Sequence, residues 1–316
     1  ATQGKKVLDA FAEVQDPRGR ECPYPLDEWL LVALCAITSG AEGWVCVGKS
    51  VRRSHDGEQR MLHLVSAWHT AAGVVLGQVK TAEKSNEITA IPELLDALNI
   101  EGATITIDAM GCQHTIIEKI IDKKADYIVA VKDNQPTMAQ AMKEWFAAAD
   151  AGTLDRPFWQ DVDTDKGHGR LETRRCVVTN DVAWLGELNQ EWRGLQSLVM
   201  VESTREMVNG KNKGECSTER RYYISSLPAK PKLLNQSVRA HWGIENSLHW
   251  VLDVAFNEDD CRIRIGEGAQ NFAILRRITL NLLKQDKSAK VGVATRRLKA
   301  AWGTAYLEKL LGLRHV

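Results

Sequence analysis

The sequence has no long apolar run, no paired cysteines, no internal repeat, no low-complexity tract and no net charge. No stretch approaches the ~18 apolar residues of a bilayer span, which excludes a membrane helix. Residues 1–16 have no apolar core ahead of a small-residue cleavage site, so no signal peptide is expected. The seven cysteines are dispersed and none forms a Cys-x-x-Cys pair. That pattern argues for reduced thiols in a cytoplasmic protein and against a disulfide framework. Cys112 and His114 stand two apart with no partners, too few for zinc. The balance of 41 basic and 41 acidic residues speaks at first against a nucleic-acid partner.

The charge is unevenly placed, however. From Cys261 to Val316 there are 12 Lys/Arg against three acids, Glu267, Asp286 and Glu308, a surplus of nine that the rest of the chain offsets. A basic end on a neutral protein suits a polyanion, although a solvated pair of amphipathic helices would look the same. The 316 residues suffice for one large or two modest domains.

Apolar spacing predicts a helix over Leu26–Thr38, preceded by Pro23 and Pro25 and ended by Ser39-Gly40. The period then changes. Val45-Cys46-Val47, Leu62–Trp68 and Val74–Lys80 read as strands, with a turn at Thr70–Gly73. A helix over Asn86–Leu98 follows, then a strand over Ala103–Asp108, a helix marked by Ile116, Ile117, Ile120 and Ile121, and a strand over Asp126–Lys132. Strand–helix–strand of this length implies a parallel crossover. The order over 45–132 is thus β-β-β-α-β-α-β, an antiparallel meander feeding a parallel pair. Beyond it come a short helix near Ala141–Ala149, strands at Arg175–Thr179, Leu198–Glu202 and Arg221–Ser225, and a long helical region from Gln236.

Two acids stand out. Asp108 ends a strand and precedes a turn, the place where open α/β sheets bind ligands. A turn or helix-cap aspartate would sit there too. Glu245 lies on a helix. At about 100° per residue, Val238, Trp242, His249, Leu252 and Phe256 all surround it, which places the carboxylate in the middle of an apolar face. A carboxylate buried there needs a metal, a proton or a cation such as Arg239 or a neighbouring His. Asp253, about two turns on, falls at the edge of the same face. Glu258, Asp259 and Asp260 read as a solvated acidic turn.

Six stretches together carry a family likeness. They are Asp16-Pro17-Arg18-Gly19-Arg20 with Tyr24-Pro25-Leu26, Ser39-Gly40-Ala41-Glu42-Gly43-Trp44, Lys84-Ser85-Asn86-Glu87-Ile88, Ile107-Asp108-Ala109-Met110-Gly111-Cys112-Gln113, His168-Gly169-Arg170-Leu171-Glu172-Thr173-Arg174 and His241-Trp242-Gly243-Ile244-Glu245-Asn246. Over nearly its whole length the chain resembles the H-repeat-associated (Rhs-linked) transposases of bacterial insertion sequences. The resemblance implies a DDE transposase with a ribonuclease H-like α/β fold, a mixed sheet in the order β-β-β-α-β-α-β-α. It also implies Mg²⁺ or Mn²⁺ as cofactor, and cleavage and strand transfer on double-stranded DNA. Asp108 matches the second acid of the triad and Glu245 the third. The expected domains are a shortened N-terminal helical segment (1–44), a catalytic core (45–134 with 236–285), a β-rich insertion (135–235) and a basic helical tail (286–316).

The departures bear on activity. Where the family's first strand carries Asp-Gly-Lys-Ser/Thr, this chain reads Val45-Cys46-Val47-Gly48-Lys49-Ser50, with no Asp between Val47 and Gly48. Trp44 runs straight into that strand, where relatives carry a further helical segment. An internal deletion is implied, with impaired activity, and an apolar face of the Leu26–Thr38 helix left open to self-association, as a homodimer or by misfolding. Against the related Tyr-x2-Arg-x3-Glu-x6-Lys pattern, the chain has Val238, His241 and Leu252. His241 can take part of the missing Arg's phosphate contact, and nothing replaces the Lys. Asp56, beyond Arg52-Arg53 in the loop after the Val45-Cys46-Val47 strand, is a poor replacement, since loop acids are mostly solvated.

The DNA-binding candidates are Lys49, Arg52, Arg53, Lys132, Asn134, His168, Arg170, Arg174, Arg239 and His241. For the group from His168 to Arg174, cross-strand ion pairs are the competing reading. Gly43 to Ser50 fits G-x-x-x-x-G-K-S, but Trp44–Val47 reads as a strand and no helix begins after Ser50, so a nucleotide-binding loop is rejected. A non-catalytic DNA-binding remnant is the main alternative.

Overall fold

The computed structural model describes residues 34, 35, 38, 64–81, 87–167, 169–209, 213–260 and 268–312. The strand expected at 45–47, Lys49, Arg52, Arg53, Asp56, His168 and the stretch Gly43 to Ser50 lie outside them. The chain divides into two compact units, Ser85–Gly243 and Ala1–Lys84 with Ile244–Val316.

The hairpin β1 (Leu64–His69) and β2 (Val74–Lys80) belongs to the second of these. It is antiparallel, with an irregularity between Ala67 and Trp68, and its turn closes with Gly73 donating to the His69 carbonyl at 2.8 Å. Gly73 has φ +66°, which a side chain would resist. Among the described residues this hairpin is a two-stranded sheet of its own and does not continue into the parallel pair, contrary to the single meander expected.

The unit of Ser85–Gly243 is built on a six-stranded mixed sheet, ordered β3-β4-β8-β7-β6-β5. Helix α1 (Glu87–Asp96) leads to β3 (Thr104–Ile107). Helix α2 (His114–Asp122) crosses over to β4 (Asp126–Val131), parallel to β3 as expected. In β4, Tyr127, Ile128, Val129 and Val131 are all buried, the continuous apolar run of a strand covered on both faces. Ile116, Ile117 and Ile120 of α2 are completely buried. At the end of α2, Lys123 donates to the Leu95, Asp96 (3.2 Å) and Leu98 (2.8 Å) carbonyls, satisfying acceptors that the end of α1 leaves open.

After α3 (Pro136–Asp150), strands β5 (Trp159–Gly167), β6 (Arg170–Thr179), β7 (Ser197–Met207) and β8 (Cys216–Ser225) complete the sheet, with short α4 (Glu187–Glu191) between β6 and β7. All four run antiparallel to their neighbours, and β8 pairs directly with β4. The β-rich stretch therefore extends the sheet of β3 and β4. Tyr222 faces Phe146 of α3 at 6.0 Å, whereas Tyr223 packs with Leu234 and Val238 of α5 (Pro231–Ile244). The alternation of a strand thus gives each face its own helix.

In the other unit the core joins Leu34, Val75, Leu248, Leu252, Phe256, Leu275, Leu280 and Leu283 to residues of the last helices. These elements are α6 (Trp250–Phe256), α7 (Gly268–Gln285), α8 (Val293–Trp302) and α9 (Thr304–Leu310). Asn281 of α7 donates to the Val75 carbonyl and accepts from its amide, both at 2.8 Å, pinning the hairpin. The first predicted helix is described only at Leu34, Cys35 and Thr38. There Leu34 is completely buried and Thr38 donates to its carbonyl, so the open apolar face expected for this helix is not found at Leu34. No helix among the described residues is long and apolar enough to cross a membrane.

Candidate functional site

Asp108 directly follows β3, at the carboxyl end of the parallel pair. Its side chain accepts from the Met110 amide at 3.1 Å and so caps the 3₁₀ turn Ala109–Gly111. The carboxylate is exposed, and among the described residues no ion pair to it is found. The turn below it is tightly fixed. A Cβ on Gly111 would lie 2.2 Å from Ile107 Cγ2 and 3.2 Å from Ile91 Cδ1. From the next strand end, Asn134 Nδ2 donates to the Ala109 carbonyl at 2.5 Å and Gln135 Nε2 to the Cys112 carbonyl at 2.9 Å. Asn134, expected at DNA, thus has a clear task in holding the turn that carries Asp108. Lys132, beside it, is exposed at the same strand edge.

Helix α5 is fastened to this strand by its last turn. His241 Nδ1 and Thr106 Oγ1 are 3.0 Å apart, and Thr106 lies one pleat before Asp108. The next residue, Trp242, is exposed and carries the Arg221 guanidinium 4.1 Å from its ring centroid. Arg221 also donates to Glu219 at 2.8 and 3.0 Å. The guanidinium holds the Glu219 carboxyl below its usual value, against the opposing effect of burial. Spacing in the sequence gave no sign of Thr106, Glu219 or Arg221, since each depends on pairing across strands or between strand and helix.

Glu245 belongs to the other unit and opens a π-helical turn, Glu245–His249, in which the Trp250 amide bonds back to the Glu245 carbonyl. This overturns the placement expected for it. Glu245 is exposed, with 59% of its side-chain surface accessible, and pairs with His249 Nδ1 at 3.2 Å. A π turn inserts one extra residue, rotating everything beyond it by about 100° relative to an unbroken helix. Val238, Leu252 and Phe256 remain buried, while Trp242 and Glu245 do not lie among them.

The basic candidates divide. Arg239 donates to Asp163 (2.8 Å) and Asp165 (2.5 Å) of β5. Arg170 and Arg174 both pair with Glu172, which Arg205 also approaches at 3.6 Å. Arg170 and Arg174 are thus ion-paired to Glu172 along their own strand, the cross-strand pair being Arg205 with Glu172, while Arg239 is held from a helix by the aspartates of β5. The basic C-terminal segment likewise turns much of its charge inward. Arg276 and Arg277 are buried against Glu258, at 3.8 and 3.3 Å. Arg296 donates to the carbonyls of Leu283, Asp286 and Ala289. Arg297 donates to that of Ala255. Glu258, expected in a solvated turn, is completely buried, because the two guanidinium groups supply its counter-charge. Asp253 is partly buried on α6.

Among the described residues the thiols of Cys35, Cys112, Cys176 and Cys216 are free, and burial pushes those of Cys112 and Cys176 up to about 12, so neither is a reactive thiolate. No group of three or more His, Cys, Asp or Glu side chains that could hold a metal is assembled among the described residues.

A mixed sheet layered with helices, bearing an exposed carboxylate at the carboxyl end of its parallel pair, defines an α/β protein. Residues 40–282 match the family described as Transposase DDE domain, and the chain belongs to that family. It is 45% identical over 266 residues to the protein named "Putative transposase YncI" of Escherichia coli O157:H7, covering 84% of this chain and 67% of the relative. It is 41% identical to YbfL of Escherichia coli K12 over 84% of this chain and 70% of the relative. It is also 41% identical to the protein named "H repeat-associated putative transposase YhhI" of the same strain, over 97% of this chain and 98% of the relative. That last alignment runs over 372 positions and the chain has 316 residues, so at least 56 positions of YhhI have no counterpart here.

Proposed function

We propose that this chain is a DDE transposase acting on double-stranded DNA, in which Asp108 and Glu245 are metal-binding carboxylates of a ribonuclease H-like core and the first acid of the triad is missing. The observation that carries the reading is the exposed carboxylate of Asp108 at the strand edge, which among the described residues makes no ion pair, in a chain that belongs to this family. The His241–Thr106 contact supports a role for His241, because it seats the end of α5 beside Asp108's own strand. The donor chemistry fits Mg²⁺ or Mn²⁺, both of which favour carboxylate oxygen. A divalent ion there would activate water and stabilise the leaving oxygen of an in-line phosphodiester displacement. The protein's own part is to present the two carboxylates on a fixed turn and a fixed helix, with Lys132 and His241 set to meet phosphate oxygens.

The missing acid limits the chemistry. Two carboxylates suit one ion better than a bridged pair, and the loss of several kcal/mol of transition-state stabilisation corresponds to about a thousandfold or more in rate. The positions of YhhI that lack a counterpart are compatible with a deletion in this chain, which the motif comparison puts at the Trp44–Val45 junction. Inserting Asp between Val47 and Gly48, and assaying Mg²⁺-dependent cleavage of a duplex, tests this. A large gain over the unmodified chain is expected, and full cleavage by the unmodified chain would refute it. The same missing positions favour a second reading, a cytoplasmic DNA-binding remnant without catalysis. That reading predicts no cleavage after the insertion, with duplex affinity that falls steeply as salt rises.

A further inference from the structure

The π turn that carries Glu245 has a latch. Lys284 of α7 donates from Nζ to the Ser247 carbonyl at 2.6 Å, inside the turn. Its ammonium also lies 4.5 Å from the centroid of the Trp68 ring on β1. The lysine is partly buried, and desolvation pulls its pKa below the usual lysine value. A half-buried ammonium is costly to place, and among the described residues the Ser247 carbonyl is its hydrogen-bond acceptor and the Trp68 ring its cation–π partner. It does not stand alone on α7. Arg277 reaches Ser66 of β1 at 3.3 Å and Asn281 clamps Val75 of β2, so Arg277, Asn281 and Lys284 form a polar seam along one side of the helix. Its last member reaches both the hairpin, at the Trp68 ring, and the π turn, at the Ser247 carbonyl. A π turn is strained relative to a continuous α-helix, and such turns recur at functional sites because they re-aim a side chain.

We infer that Lys284 is a positioning residue that fixes the π turn and thereby aims the Glu245 carboxylate at its metal ion. The inference rests on the reading of Glu245 as a metal ligand. Lys284 acts through the Ser247 carbonyl and touches no substrate. Removing the donor lets the turn relax toward an α-helix, which re-aims the Glu245 carboxylate.

The test is Mn²⁺ binding to the full chain, alongside thermal stability, for Lys284→Met, Trp68→Leu and Glu245→Gln. Glu245→Gln should weaken Mn²⁺ binding at least tenfold. An unchanged affinity in that variant removes the underlying reading and the inference with it. If Glu245→Gln does weaken binding, Lys284→Met should do so about tenfold, and Lys284→Arg, which keeps a donor, should recover most of the loss. An Mn²⁺ affinity for Lys284→Met equal to that of the unmodified chain, with only the melting temperature lowered, makes the lysine merely structural and overturns the inference. Should Lys284→Met not fold, Trp68→Leu decides. It leaves the ammonium without its ring and is expected to weaken Mn²⁺ binding about threefold, and no change there overturns the inference.

Discussion

Gly111→Ala is the substitution whose effect the structure fixes most sharply. Gly111 does not have a positive φ, so backbone conformation is not its reason for being glycine. Space is. The added methyl would sit 2.2 Å from Ile107 Cγ2, where carbon atoms ordinarily rest about 3.5–4.0 Å apart. Relief by more than 1 Å is blocked on a second side by Ile91 Cδ1 at 3.2 Å. Ile107 belongs to β3, which is paired with β4, and the turn itself is tied down by Asn134 and Gln135. Overpacking of this kind costs about 1–3 kcal/mol, and the upper part of that range applies because both neighbours sit on fixed elements. Urea unfolding followed by circular dichroism measures the cost. Ile107→Ala alone removes packing and should cost about 2 kcal/mol, the low end for a residue that is only partly buried. The double variant should cost less than the two singles together by at least 1 kcal/mol, because the truncation removes the atom that the methyl strikes. A Gly111→Ala protein within about 0.5 kcal/mol of the parent, or a double variant in which the two costs simply add, would refute this account of the turn that bears Asp108.

Further expectations concern the surrounding scaffold. Glu258→Gln leaves two buried guanidinium groups short of their shared carboxylate and should destabilise the protein by about 3–5 kcal/mol in thermal or urea unfolding, whereas a solvated glutamate would change it by under about 0.5 kcal/mol. Burial pushes the Asp286 carboxyl up, but hydrogen bonds from Ser288, Tyr306 and Lys309 outweigh it and hold the group well below its ordinary 3.8. Its stabilising contribution is therefore complete above that value and is lost as the pH falls below it, so Asp286→Asn should flatten the acid limb of a stability–pH curve. Tyr306→Phe removes one of those donors, 2.9 Å from Asp286 Oδ2, and should lower unfolding free energy by about 1.5–3 kcal/mol at neutral pH.

The contrast between β4 and β5 shows which elements the sequence announces. β4 is a run of apolar residues bounded by turn residues, and its spacing places it within one residue of where it lies. β5, Trp-Gln-Asp-Val-Asp-Thr-Asp-Lys-Gly, is exposed along most of its length and offers no apolar face to detect. It is held by its pairing to β6 and by Asn235 and Arg239 reaching its aspartates, contacts made at more than 70 residues' separation. Asp108 was legible because a strand, a turn and a helix follow one another locally. Glu245 could be found as an acid on a helix, but its surroundings could not. Periodicity assumes an unbroken 3.6-residue repeat, and the π turn breaks it at that residue. Charge counting is coarse for a related reason. It sums formal charges and cannot register that Arg276, Arg277, Arg296 and Arg297 spend theirs on a buried glutamate and on backbone carbonyls.

Iron-directed scission of the polypeptide tests the central assignment most directly. Fe²⁺ loaded into the Mg²⁺ position, with ascorbate and peroxide, cuts the backbone within a few ångströms of the ion. The expected result is two sets of fragments, ending near residue 108 and near residue 245, both suppressed by excess Mg²⁺ and by either Asp108→Asn or Glu245→Gln. Cutting beside only one of the two carboxylates, or elsewhere in the chain, would contradict the assignment of a shared ion.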